Sequence, residues 1–287
     1  MGIDLSLIWF VIIVFATLMY IVMDGFDLGI GILFPAIQDA DDRDVMVNSV
    51  APVWDGNETW LVLGGAALFG AFPLAYAVII DALTIPLTLM LIGLIFRGVA
   101  FEFRFKATPA HRPFWDKAFI GGSVLATFTQ GMVVGAVING FAVSGRAFAG
   151  GPFDWFTPFN LFCGLGLVVA YAFLGATWLV MKSENPLQGR MRQVSKSLLL
   201  ALLGIIAVIS IWTPLSQPAI AGRWFSLPNL FFLLPVPVLV VVLGLWQWRS
   251  LNNPHSHHLP FVLTLGLIFL GFSGLGISIW PHIIPPS

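Results

Sequence analysis

The stretch WDGNETWLVLGGAALFGAFPLAYAVII, residues 54–80, sets Asp55, Asn57, Glu58 and two indoles, Trp54 and Trp60, at the head of about twenty residues without a charge. A run of that length is enough to cross hydrocarbon. The rest of the chain has the same character. Charged residues make up 9% of its 287 positions, against roughly a quarter in soluble domains. Hydrophobic residues reach 58%, with 26 Phe and 11 Trp, more apolar surface than a single water-soluble core can hide. Lipid is therefore the expected solvent. The predicted fold class is all-α: a polytopic transmembrane helix bundle, one integral membrane domain over residues 1–287.

About eight apolar stretches meet the length criterion, at roughly 5–36, 50–72, 76–100, 117–140, 158–181, 195–214, 228–248 and 259–281. Breaker-rich segments such as KATPAHRP, KSENPLQGR and NNPHSHH separate them. All but two of the 13 Lys and Arg fall after odd-numbered spans; Arg146 and Arg223 are the exceptions. Basic residues concentrate on the cytoplasmic side, so the N-terminus is expected outside. The opening MGIDLSLIWF lacks a basic leader and a small-residue cleavage site, and reads as a retained first span. The lone Cys163 excludes an internal disulfide and a Cys-x-x-Cys site.

Acidic residues inside the apolar runs are the candidates for chemistry, because an ionised carboxylate in hydrocarbon requires a partner or water. Asp24 and Asp27 lie three apart near the inner end of the first span and share a helix face. Gly25, Gly29 and Gly31 thin the helix beside them and admit a second backbone. In the second span Ser49 is read as the N-cap and Pro52 as part of the first turn, which puts Asp55, Glu58 and Thr59 within two turns of the start. Four carboxylates, Asp24, Asp27, Asp55 and Glu58, are thus expected to converge at the cytoplasmic mouth of the first two helices. They would line a hydrated path for protons or another cation. The simpler alternative is helix-end capping flanked by interfacial tryptophans. Arg97, Glu102 and Arg104 read as a solvated inner rim, Asp81 as interfacial, and Gln130 and Asn139 as hydrogen-bonding to neighbouring helices.

Redox and hydrolytic signatures are missing. No histidine falls in the middle of a span: His111, His255, His257 and His258 lie in inner loops, and His282 near the outer end of the last span. A haem inside the bilayer would need axial His or Met on the helices, and Met90 and Met132 are not paired with any histidine. The His-Ser-His-His run matches no standard zinc spacing, and no nucleotide-binding or hydrolase motif occurs. No cofactor or metal is expected on this chain alone, nor any nucleic-acid partner.

The pairing of DGFDLGIG, residues 24–31, with NSVAPVWDGNETWLVLGGAALFGAFP, residues 48–73, resembles subunit II of cytochrome bd-type quinol oxidases. FRGVAFEFR, residues 96–104, and GISIWPHIIPPS, residues 276–287, are similar to the same family, with the cyanide-insensitive branch included. The resemblance covers essentially the whole chain. Family members usually carry a ninth helix beyond this point; this sequence ends at Ser287, as a truncation or a shorter variant.

The resemblance implies a heterodimer in the bacterial inner membrane. Subunit I would hold two b-type haems, one d-type haem and the quinol site; a small single-span subunit is a further expected partner. The pair would oxidise quinol and reduce dioxygen to water, building a proton gradient without pumping. This chain would be a haem-free subunit that steadies subunit I. Asp24, Asp27, Asp55 and Glu58 would be candidates for a proton route toward the partner's haems, with Trp54 and Trp60 beside it or at the interface. A proton-coupled transporter or a pure scaffold subunit are the competing readings.

Overall fold

A computed structural model describes residues 4–184 and 186–279. The order is α1 (Leu5–Leu33), a 3-10 turn at Phe34–Ala36, α2 (Ala40–Asn48), α3 (Trp54–Ala71), α4 (Pro73–Lys106) and α5 (Arg112–Asn139). A two-residue hairpin, β1 (Val143–Ser144) with β2 (Ala147–Phe148), precedes α6 (Pro158–Lys182), α7 (Leu187–Ser216), α8 (Pro218–Phe225), α9 (Asn229–Leu233), α10 (Pro235–Asn252) and α11 (Leu259–Ile279). Among the described residues seven helical segments are long and apolar enough to span a membrane: α1, α4, α5, α6, α7, α9–α10 and α11. The remaining expected span is α3, whose 18 residues rise about 27 Å. Trp280 to Ser287, including His282 and most of the terminal motif, lie outside the described residues.

Local chemistry sets the helix ends. Asp4 caps α1 by accepting from the Ser6 and Leu7 amides, and Thr157 caps α6 ahead of Pro158 by accepting from Asn160 N. One sequence expectation fails here. Ser49 closes α2 instead of opening the second span, and Pro52 lies in the turn before α3, which starts at Trp54 after an uncapped Val53. The charged stretch Ala40–Asn48 forms its own short helix, with Asp39 as its N-cap and Ser49 as its C-cap.

α6 lies at the centre of the bundle, packed against α1, α5, α7 and α11. Its approach to α1 is made through glycine. A Cβ on Gly29 would overlap the Tyr171 carbonyl oxygen, and one on Gly175 would lie 2.6 Å from the Gly29 carbonyl carbon. The inner half of α1 (Phe26, Leu28, Ile30, Leu33) joins Leu174, Leu179 and Phe119 in the main core. Its outer half exposes Leu5, Leu7, Val11 and Phe15, as a lipid-facing surface should.

α2 is tied to three other helices by ion pairs on the predicted cytoplasmic side. Arg104, 2% exposed, donates to Asp116 Oδ1 and Asp44 Oδ1, each at 2.6 Å; Arg112 also pairs with Asp44, Arg43 with Asp116 at 3.1 Å, and Arg190 with Asp42 at 3.6 Å. Arg104 is therefore no part of a solvated rim, whereas Glu102 is exposed and, among the described residues, pairs with Lys106 alone. Burial works against ionised Asp44, but hydrogen bonds from Arg112 and Arg104 outweigh it and hold its carboxyl below the ordinary carboxylate range. Stability from this contact is complete at neutral pH and disappears as pH falls below about 3.9, the ordinary aspartate value, and through the lower folded value. Amide exchange across Asp39–Ser49, corrected for its intrinsic pH dependence, should accelerate over that acid range. Asp44→Asn should show the fast exchange already at neutral pH; protection equal to the parent's would remove the assignment.

Candidate functional site

Residues from the two leading spans meet at one buried cation. Arg97, in α4, is 0% exposed, and its fork reaches Asp24 Oδ1 at 2.5 Å through Nη2 and Glu58 Oε2 at 3.0 Å through Nη1. Asp27 Oδ2 lies 3.7 Å from the same Nη2 and accepts from Asn57 Nδ2 at 2.9 Å. The guanidinium also lies 5.4 Å from the ring centres of Trp54 and Phe101, which stack on each other at 5.0 Å. A planar fork suits this position because it bonds two carboxylates and faces two rings at once.

Spacing explains most of the convergence. Asp24 and Asp27 share the α1 face toward α3 and α4, and both are 0% exposed. Asn57 and Glu58 sit one turn into α3; Asn57 is buried and the Glu58 side chain keeps 27% exposure, making it the open edge of the cluster. Gly98 leaves room for Trp54, whose ring would lie 3.2 Å from a Cβ there. Gly25 and Gly29 face Tyr171 on α6 and draw the acidic half of α1 into the core.

Two expectations need correction. Asp55 does not join the group: it is exposed on the first turn of α3, and the turn starting at Trp54 points Glu58 inward instead. Arg97 is not a rim residue. α4 continues nine residues past it to Lys106, which puts it inside the helix with apolar neighbours. The signal was present in LIGLIFRGVAF, a lone cation inside an apolar run. In the sequence the nearby Arg104 and Lys106 mask it by giving the stretch the look of a loop.

The other placements are simpler. Trp60 packs edge-on against Phe15, 5.8 Å away, on the outward side of α1 and α3. Asp81 is exposed. Gln130 donates to the Tyr20 hydroxyl on α1 at 2.6 Å, and Asn139 to Asn160 on α6 at 2.8 Å, as expected of polar groups between helices. His255 and His258 lie in the loop before α11, where His257 bonds Gln188 at 2.9 Å, and His111 immediately precedes α5. Among the described residues no histidine lies within a spanning helix, and no three His, Cys, Asp or Glu are grouped for a metal.

One guanidinium balances one carboxylate, so with all three acids ionised around Arg97 two negative charges would be in surplus, and Asp24 and Asp27 are both shut away from water. Hydrocarbon penalises that arrangement heavily. Glu58, with 27% of its side chain exposed, is the edge of the cluster that reaches the surface. The fold and the site define a polytopic α-helical membrane protein with a buried acid–guanidinium cluster.

The chain belongs to the family described as cytochrome bd terminal oxidase subunit II, whose model matches residues 5–287. It is 29% identical to cytochrome bd-I ubiquinol oxidase subunit 2 of Escherichia coli over 99% of this chain and 82% of that protein. A probable cytochrome oxidase subunit 2 of Haemophilus influenzae is 33% identical over 72% of this chain and 57% of its own length. The bd oxidase structure from Geobacillus thermodenitrificans superposes with a TM-score of 0.76 at 17% identity, over 98% of this chain and 86% of that one, which establishes a shared fold.

Proposed function

We propose that this chain is the haem-free second subunit of a bacterial inner-membrane quinol oxidase, steadying a haem-bearing subunit I and passing cytoplasmic protons inward. Together the two subunits oxidise quinol and reduce dioxygen to water, with two b-type haems and one d-type haem in the partner. The reading rests on one observation: carboxylates from the two leading spans meet a single buried guanidinium in a chain matching the subunit II family from residue 5 to 287.

Each residue has a distinct part. Glu58, half-buried, takes a proton from the cytoplasmic side. Arg97 holds Glu58 and Asp24 on one fork, so a proton arriving at one changes the charge balance felt by the other. Asn57 orients Asp27 by donating to one of its oxygens. Trp54 and Phe101 cover the guanidinium and keep bulk water away.

Copurification with a haem-bearing subunit and quinol-dependent oxygen uptake would test the assembly; a haem-free preparation that moves protons would favour the transporter instead. Within the complex, Glu58→Gln and Asp24→Asn should slow oxygen uptake by about a hundredfold, the lower side of what a positioned proton-transfer group contributes. The haem spectrum and yield should hold. Asp55→Asn, at an exposed position, should change the rate little. Unchanged turnover in both Glu58→Gln and Asp24→Asn would leave a scaffold role only.

A further inference from the structure

The cluster continues along a seam between α1 and α5. On α1, Tyr20, Asp24, Asp27 and Gly31 recur at spacings of four, three and four, and so share one face. On α5, Ser123, Thr127 and Gln130 do the same at four and three. The two rows face each other at both ends: a Cβ on Gly31 would overlap Ser123 Oγ, and Gln130 donates to the Tyr20 hydroxyl at 2.6 Å. Thr127 is bracketed between these contacts. Tyr20, Ser123, Thr127 and Gln130 are all at least nine-tenths buried.

The hydroxyls of this seam, like Ser195 on α7, differ from most buried hydroxyls among the described residues. A serine or threonine in an apolar helix normally donates to the carbonyl one turn back. Thr129 does so to Leu125 O at 2.8 Å, Thr177 to Phe173 O at 3.0 Å and Thr264 to Pro260 O at 2.9 Å. Ser123 Oγ and Thr127 Oγ1 make no such bond. Asp24 Oδ2, Asp27 Oδ1, Arg97 Nε and Gln130 Oε1 are likewise left over beside the same seam. Six buried polar atoms without a protein partner thus belong to three adjacent helices, and buried polar groups of this kind are satisfied by water.

We propose that the α1–α5 seam admits water and carries protons from the Arg97 cluster to the Tyr20–Gln130 pair, with Thr127 as the residue that positions the water. From Gly31 to Tyr20 the seam climbs about 16 Å, half of a ~30 Å hydrocarbon core. In each hop one O–H bond breaks as the next forms, so a net proton advances and no other reactant is consumed. The inference rests on the proton-passing reading above and extends it to residues of α5.

Full complexes carrying Thr127→Val, which keeps the side-chain shape, and Thr127→Ser, which keeps the hydroxyl, test it. Oxygen uptake should fall about tenfold in the valine variant, less than the roughly hundredfold or more for loss of a proton-transfer group itself, with an enlarged slowing in heavy water. Infrared water bands that shift with oxygen-18 water should weaken. The serine variant should restore rate and bands. Valine and serine variants that behave alike, both normal or both slow or unassembled, overturn the seam and assign Thr127 to packing. Normal uptake in Glu58→Gln and Asp24→Asn, with bands lost only in Thr127→Val, would remove the cluster's proton role yet leave the seam as a water site. Normal uptake and unchanged bands in Thr127→Val, alongside slow Glu58→Gln, would remove the seam alone.

Discussion

Membranes producing Arg97→Met should contain little assembled complex, and what can be purified should melt well below the parent. The substituted side chain is 0% exposed and is the only cation within 4 Å of Asp24, Asp27 and Glu58 among the described ion pairs. Removing one partner of a buried ion pair leaves uncompensated charge, typically at a cost of about 3–5 kcal/mol. Here one deletion strands acids on both α1 and α3, and three helices lose their common tie. Arg97→Lys should rescue only in part, because a single ammonium cannot bond Asp24 and Glu58 through separate arms of a rigid fork. The measurement is haem-normalised yield with thermal melting in detergent. Parental yield and melting temperature in Arg97→Met would show that the guanidinium is dispensable.

Gly29→Ala should be the next most damaging change, although it adds one methyl group. That methyl would overlap the Tyr171 carbonyl oxygen and sit 2.9 Å from Gly175 N, both backbone atoms that no rotamer change can move aside. α1 must therefore back away from α6. Forcing extra atoms into a packed interior costs about 1–3 kcal/mol, and this site lies toward the expensive end because the obstruction is main chain. Displacement of α1 also shifts Asp24 and Asp27 away from Arg97, so oxygen uptake should fall along with melting temperature. Gly56→Ala is the matched control: a Cβ there meets nothing within 4 Å, and the variant should melt at or slightly above the parent. Equal melting of the two alanine variants would contradict the glycine contact between α1 and α6.

Much of the site was legible because lipid makes charge rare. In a chain with 9% charged residues, each acid inside an apolar run stands out, and Asp24, Asp27 and Glu58 were found that way. The glycines beside them, Gly25, Gly29 and Gly31, were legible for the same reason, since a glycine in such a run has no side-chain role except to let helices touch. Arg97 was assigned to the wrong environment because three more basic residues follow within fifteen positions, and a cluster of cations near a span end resembles a cytoplasmic loop. Asp55 falls outside the Arg97 contacts for a related reason. Spacing places residues on a face, but which face turns inward depends on where the helix starts, and Ser49 capping α2 moved that start to Trp54.

The amino-acid sequence alone determined that lipid is the solvent, that the elements are helices about one bilayer long, and that the two leading spans carry the unusual acids. Those conclusions follow from local quantities: run length, charge density and the 3.6-residue period. Only the tertiary structure decided that Arg97 is the common partner of those acids, that Asp55 stands apart, and that Ser123, Thr127 and Gln130 face Tyr20 across a second helix. Pairings such as Arg97 with Asp24 join residues 73 positions apart. They arise from helix packing through Gly29 and Gly175, which no local pattern encodes.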